Sequence, residues 1–545
     1  MSNNLLFGAA DATVHPKSSR STSGLSPYTG AWTKKEVVHL LKRTMFGATF
    51  TDINYFLSQS MSDSVNELLN ASVSPPAPPL KNYSNTDDDA YVTFGQTWVN
   101  SPPVPGVTGL RGASLKAWWM GLMINQNRSI EQKMTLFWQN HLASQIQNYA
   151  EPRYGYRYLE TIRANALGNF KALVKAVTLE PAMLVYLNGN KNRKGVPDEN
   201  YARELQELFC IGKGPNSHYT EDDVKAAARV LTGYRDDPQN INSYFDPARH
   251  DANDKQFSVF YNNTVILGQS GTNGQNELDD LLDMLFLNDE CALFICRKLY
   301  RFFVYYTIDA DIETNVIIPL AQVLRANNYD IKPVLSILFK SEHFFDLANR
   351  SCMIKSSVDF TVGFCRENKL VFPDATALQN QYYFWLLGEQ FSATMAQDLL
   401  DQPSVAGWPA YYQEPAFHEL WINSDTMPKR KNFTDGLLYA GVTKSGYKLI
   451  MDPIALTAAF SDPSNPNTLI DDVLTMMYTM EVSAAWKAYL KTYTLLSGQA
   501  SDYYWTNAWN DYVADPTNAS KKQIVLTRLQ YMYAFIMEMP EYQLS

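Results

Sequence analysis

The sequence predicts an all-α protein, mainly helical around a large multi-helix core, with one short β-hairpin and long loops rich in proline and aromatic residues. Three observations carry that prediction. Apolar residues recur at three- and four-residue intervals through most of the 545 residues, which places them on one face of a helix. Only Lys255 to Gly268, KQFSVFYNNTVILG, alternates with the two-residue period of a strand, around Asn262-Asn263. Proline and aromatic residues are concentrated in a few connecting stretches, where a ring-locked φ cannot interrupt a helix.

Residues 1–31 are polar and rich in Ser, Gly and Pro, and read as a flexible N-terminal arm. The main helical domain is assigned to 32–460. It opens with Val37, Leu40, Leu41 and Met45 at helical spacing, and Thr51 is expected to cap the next helix, which carries Ile53, Phe56 and Leu57. His39 lies one residue off the first stripe and reads as a surface or boundary histidine. Residues 73–110 hold SPPAPPL, an acidic DDD and SPPVPG; such proline density excludes helix and central strand, so this is an excursion over the surface.

Helical signals return with Trp118, Trp119 and Met123. Met134, Phe137, Trp138, His141 and Leu142 then repeat at i, i+3, i+4, i+7 and i+8, which sets His141 in the middle of a buried stripe. A buried imidazole needs a hydrogen-bond partner. It is either a core histidine bonded to a carbonyl or carboxylate, or a ligand or general base lining an internal pocket.

The stretch densest in chemistry is Pro197 to Gly233. Asp198 can cap a helix with Tyr201, Leu205, Leu208 and Phe209 on one face, stopped by Gly212; Thr220 caps a second, with Glu221, Asp222 and Asp223 in its first turn, ended by Gly233. Arg203 is spaced for i, i+4 pairs with both Glu199 and Glu207, while Glu204 sits at the margin of the apolar stripe. Downstream, FDPARHD puts His250 and Asp251 in a loop, where packing alone does not call for them. Within the helices of 277–345, Lys298 and Arg301 lie among aromatics and are expected to run their stems along apolar surface with their heads in water.

Residues 401–430 form a loop rich in Pro, Trp and Tyr and nearly uncharged, too apolar for an ordinary connector. It is expected to lid the core or to wall a binding site, with Trp408, Tyr411, Tyr412, Trp421 and Arg430 as candidate contacts. SDPSNPN at 461–467 reads as a linker, and 461–545 as a C-terminal helical cap.

Two of these stretches, DENYARELQELFCIG and YTEDDVKAAARVLTGY, resemble the signature of the DUF1800 proteins, bacterial proteins of undefined function. VVHLLKRTMFGAT (37–49), KMTLFWQNHL (133–142), FDPARHDANDK (245–255) and PSVAGW (403–408) match the same pattern in order, so that the resemblance spans roughly Trp32 to Phe433. Many members carry a histidine where this chain has Phe209. The resemblance implies a link to DUF1501-type proteins, which look like sulfatase or phosphatase relatives, in a bacterial surface or polysaccharide-related process.

A formal net charge of −10 with no long basic run argues against nucleic acid. Neither a secretory h-region nor a run of about 18 apolar residues is seen, so the sequence reads as soluble and cytoplasmic; the export of relatives makes the periplasm or cell surface the alternative. Five cysteines without a CxxC read as buried free thiols. GxSxG, HExxH, the P-loop and a GxGxxG in strand–helix context are all missing.

The leading expectation is a binding or assembly protein that works with a partner. The alternative is a hydrolase-type enzyme, metal-dependent or metal-free, using His141, Glu204, His250 and Asp251 in a helical cleft under the 401–430 loop. Arg203, Glu207, Trp408, Tyr411, Trp421 and Arg430 are then the candidate binding residues. A divalent metal would meet an incomplete ligand pattern, since Glu204 is followed at i+3 by Glu207 where carboxylate-bridged sites use histidine.

Overall fold

The computed structural model describes residues 21–71, 74–84 and 89–545. It is 58% helical and 5% strand, the all-α class that the periodicity predicts. Helix starts follow side-chain capping. Thr33 and Glu36 form a capping box on Lys34–Thr44, and Thr220 and Asp223 form another on Glu221–Val230, each satisfying amides that a helix N-terminus leaves free. The second helix, Phe50–Leu57, is capped by Thr49 and not by Thr51, because the Thr49 hydroxyl is the one that reaches the Asp52 amide, at 3.1 Å.

His39 is a correction to the sequence reading. Every residue from Glu36 to Thr44 is buried, and His39 is 1% exposed, its Nε2 3.0 Å from the Phe344 carbonyl. The helix is amphipathic in sequence but covered on more than one side, with Phe344 and Phe345 rings closing over the histidine.

The longest packed pair is Thr108–Ile124 against Leu378–Thr394, with Pro152–Asn165 and Ser357–Glu367 also against the first of these. Gly121 allows the close approach: a Cβ there would lie 2.5 Å from the Trp385 ring. The described part of the proline-rich stretch is pinned to this pair. Trp98 is fully buried, Arg111 holds Asp89 with bonds of 3.0 and 2.7 Å, and the Leu80 amide donates to the Tyr382 hydroxyl at 3.0 Å.

Three two-stranded antiparallel hairpins occur among the described residues. Lys255–Gln256 pairs with Val265–Ile266 where the alternation predicts it. The others, Tyr234–Asp237 with Asn242–Phe245 and Val442–Lys444 with Tyr447–Leu449, are too short and polar to display a period.

At the N-terminal side, residues 1–20 of the expected arm lie outside the described residues. Residues 21–31 run along 341–346, with Pro27 bridged to Ser341 and the Ser21 hydroxyl donating to Asp346 at 2.7 Å. At the other end, Ala519–Glu538 packs on Thr426–Asp435 and Pro453–Thr457, and Lys34 pairs with Asp472 at 2.9 Å. All five cysteines are free thiols, four of them buried. Among the described residues no helix is long and apolar enough to cross a membrane.

Candidate functional site

The helix Glu131–His141 delivers His141 at its last turn. The imidazole Nε2 donates to the Phe209 carbonyl at 2.9 Å. That carbonyl is free for a physical reason. The helix Asn200–Glu204 widens into a π-helical turn, Leu205–Cys210, and Gly212 at φ +87° ends it, so the last carbonyls have no intrahelical partner. His141 supplies one. Rings of Phe137, Trp138, Phe170, Phe209 and Phe294 surround it, with centroids 5.8 to 6.3 Å away.

Burial, with the nearby Lys298 charge, pushes the His141 pKa down to about 3. The ring is therefore neutral at pH 7. A carbonyl partner fixes the proton on Nε2 and leaves Nδ1 as the acceptor of a ring that lines a cleft. The cleft measures about 20 Å³ and is walled by Phe137, Asn140, His141, Leu208, Lys298, Arg301, Phe302, Ala406, Tyr411 and Tyr412. By volume it holds one or two waters.

Lys298 and Arg301, expected to reach out into water, both line this cleft instead. They sit on the helix Asp289–Phe303. The Lys298 ammonium lies 5.3 Å from the centre of the Phe294 ring and, among the described residues, has no carboxylate within salt-bridge reach; burial together with Arg301 pushes its pKa down to about 8. Arg301 donates from Nε to the Tyr306 carbonyl at 3.2 Å and stacks over Phe417; its ion-pair partner among the described residues is the exposed Glu414, 3.8 Å away.

The 401–430 loop forms the fourth wall. Asn140 Oδ1 accepts from the Trp408 amide at 2.9 Å, and Gln402 donates to the Gln139 carbonyl at 2.9 Å. Gly407 adopts φ +89°, and a Cβ on it would lie 2.3 Å from Asn140 Oδ1 and 2.6 Å from the Asn140 carbonyl oxygen. Only glycine lets the loop come this close. Trp408 and Trp421 are buried, while half-buried Tyr411 packs between the Phe302 and Trp421 rings at 5.3 and 5.5 Å. Arg430 is fully buried elsewhere, donating to the Lys355 carbonyl at 2.8 Å.

The remaining candidates are placed apart from this cleft. Glu204 is half-buried, with Oε2 enclosed and unbonded, and burial with the Glu207 charge raises its pKa. Arg203 spans Glu199 at 3.1 Å and both oxygens of Glu221 at 2.7 Å; Glu207 pairs with Lys213. His250 and Asp251 belong to a separate knot. His250 Nδ1 lies 2.9 Å from the Thr232 carbonyl and Nε2 3.0 Å from Glu277 Oε1, while Lys255 bonds the other Glu277 oxygen. Asp251 accepts from Arg229 at 2.7 Å and from the Asn253 amide at 3.0 Å. No hydrogen bond or ion pair joins His141 to Glu204, His250 or Asp251.

Sequence reasoning singled out His141 and Tyr411 but not Asn140, Lys298 and Arg301 as partners. A signal was present: two cations one turn apart inside an aromatic run. Among the described residues no group of three or more His, Cys, Asp or Glu side chains is placed to hold a metal ion.

Fold and site together define a helical scaffold with a small cation-lined cleft, closed by an aromatic loop that three separated sequence blocks bring together. The chain belongs to the DUF1800 family: the model for "Protein of unknown function (DUF1800)" matches residues 39–544. No curated protein and no solved structure matches it.

Proposed function

We propose that this protein is a binding protein whose cleft beneath the 401–430 loop receives an anionic group presented by a ligand or partner. One observation carries the reading. Lys298 lines the cleft and, among the described residues, has no carboxylate in salt-bridge reach, beside an Arg301 whose ion-pair partner among them is the exposed Glu414 at 3.8 Å. Half-buried cations without counter-charge are unfavourable unless something neutralises them. The ligand's anionic tip does so, and the His141 acceptor suits a hydroxyl next to it. The small volume admits the tip of a larger molecule and not a whole sugar.

The partner suggested by the family resemblance, a DUF1501-type protein in a surface or polysaccharide-related process, is a fitting source of such a group. The hydrolase-type alternative draws less support, because the cleft wall carries no carboxylate: of the acids named for that role, Asp251 is held by Arg229 and Glu204 is not part of the cleft lining.

The test is calorimetric titration of the full chain with glucuronate, sulfate and phosphate. Saturable binding of at least one is expected, weakened about tenfold, or ~1.4 kcal/mol, in Lys298→Met and again in Arg301→Met. Equal binding by wild type and both variants, or none by the wild type, would overturn the reading.

A further inference from the structure

Behind the Phe302–Tyr411 wall lies a second cavity of about 20 Å³, lined by Lys42, Arg43, Lys133, Ser356, Asp359 and Trp421 together with both wall residues. Its cations come from family blocks far apart in sequence: Lys42 and Arg43 from the first, Lys133 from the second. Each is at most 4% exposed. Lys355 and Arg430 stand next to this group, 7% and 0% exposed, with the Arg430 guanidinium donating to the Lys355 carbonyl.

Among the described residues, these five buried cations meet two side-chain carboxylates, and Ser545 also lines the cavity. Glu367 takes Lys42 at 2.9 Å and Asp359 takes Lys133. Among the described residues, Arg43, Lys355 and Arg430 have no side-chain carboxylate in salt-bridge reach and the enclosed Nε atoms of Arg43 and Arg430 have no partner; the three side chains bond to carbonyls of Asn349, Tyr542 and Lys355. Burial, with the Lys42 and Arg430 charges, pushes Lys355 down to about 7, and burial pushes Arg430 down to about 9 against the pull of Asp359, so both charges are held at a desolvation cost. The N-terminus of the helix Ser357–Glu367 opens on the same space through its cap Ser356, adding the positive end of a helix dipole.

An unpaired buried charge costs several kcal/mol unless it is neutralised. A cavity large enough for one or two waters and walled by cations meets that need with a compact anion. We propose that this cavity is a binding site for a small inorganic anion, chloride or an oxyanion of similar charge, held by Arg43, Lys42 and Lys133 between the family's first two sequence blocks. The anion is structural: it locks the opening helix to the Glu131–His141 helix and to the back of the Tyr411 wall. The site is independent of the cleft at Lys298.

The test uses the full chain at fixed ionic strength, with gluconate replaced stepwise by chloride, sulfate or phosphate. A saturable rise in unfolding temperature is expected with at least one of the three. On the folded wild type, chloride-35 NMR should show a saturable excess linewidth that collapses on addition of bromide or of the tighter oxyanion. Arg43→Gln should weaken the midpoint about tenfold, and Lys298→Met should leave it unchanged. Should Arg43→Gln fail to fold, the wild-type NMR titration decides alone. A chloride linewidth that rises linearly without saturation, with an unfolding temperature indifferent to all three anions, would overturn the proposal and show that the chain's own groups already neutralise the cavity.

Discussion

Replacing Glu277 with alanine should release the segment that carries the FDPARHD block. Glu277 is fully buried on the helix Glu277–Leu287 and accepts from His250 Nε2 at 3.0 Å, from the Gln269 amide at 2.7 Å and from Lys255. Lys255 is itself fully buried, and its other bond goes only to the Asp251 carbonyl. Removing one partner of a buried pair costs about 3–5 kcal/mol, so local opening of 246–270 should become roughly a hundredfold to a few thousandfold more frequent. Native-state hydrogen exchange of the Gln269 amide and its neighbours reads this directly. The double variant Glu277→Leu/Lys255→Met removes both charges and should recover most of the protection. Burial alone would raise the Glu277 pKa, but the bonds from His250 and Lys255 outweigh it and hold the group below the usual carboxylate range. Its contribution is thus present above that range and lost as pH falls through the folded value, so wild type in acid should come to exchange like the variant. A loss below about 1 kcal/mol in Glu277→Ala, or a double variant no better protected than the single one, would refute the reasoning.

Other expectations follow from the same geometry. Gly407→Ala forces a Cβ into Asn140 at a positive φ; with about 1–3 kcal/mol of backbone strain before any clash, the 403–412 loop should detach, seen as a red shift of Trp408 emission and new proteolytic cleavage there. Anion binding in the Lys298 cleft requires the ammonium form, so affinity should decline as pH rises through about 8, and the decline should vanish in Lys298→Met; calorimetric titrations at several pH values check it. Glu389 is buried, and burial with the Asp398 carboxyl raises its pKa to about 8. The folded state therefore holds a proton that the unfolded chain releases, and stability falls between the ordinary carboxylate range and pH 8. Glu389→Gln should flatten that part of the unfolding-temperature profile, and an unchanged slope would exclude Glu389 as its source.

Part of the candidate site was legible in the sequence. The stripe Met134, Phe137, Trp138, His141 placed the imidazole inside, and the buried ring does find a carbonyl. The texture of 401–430 announced a packed loop, and Trp408 and Trp421 are buried in it. Lys298 and Arg301 were misread because a helical period reports which face a residue occupies and not what lies opposite; facing water, their stems would snorkel, but the 401–430 loop stands there instead. His39 failed for the same reason, since a second layer covers the face that the stripe leaves free.

Local sequence thus determined the helical class, the capping residue Thr220, the Lys255–Ile266 hairpin and membership in the family, because each depends on neighbours within one or two turns. Tertiary structure alone decided that His141 meets Phe209, that Asn140 clamps Trp408, and that Lys42, Arg43 and Lys133 surround one cavity. Those meetings join residues dozens to hundreds of positions apart. They are set by which helices pack together and how closely glycines let them approach, and no local period encodes that choice.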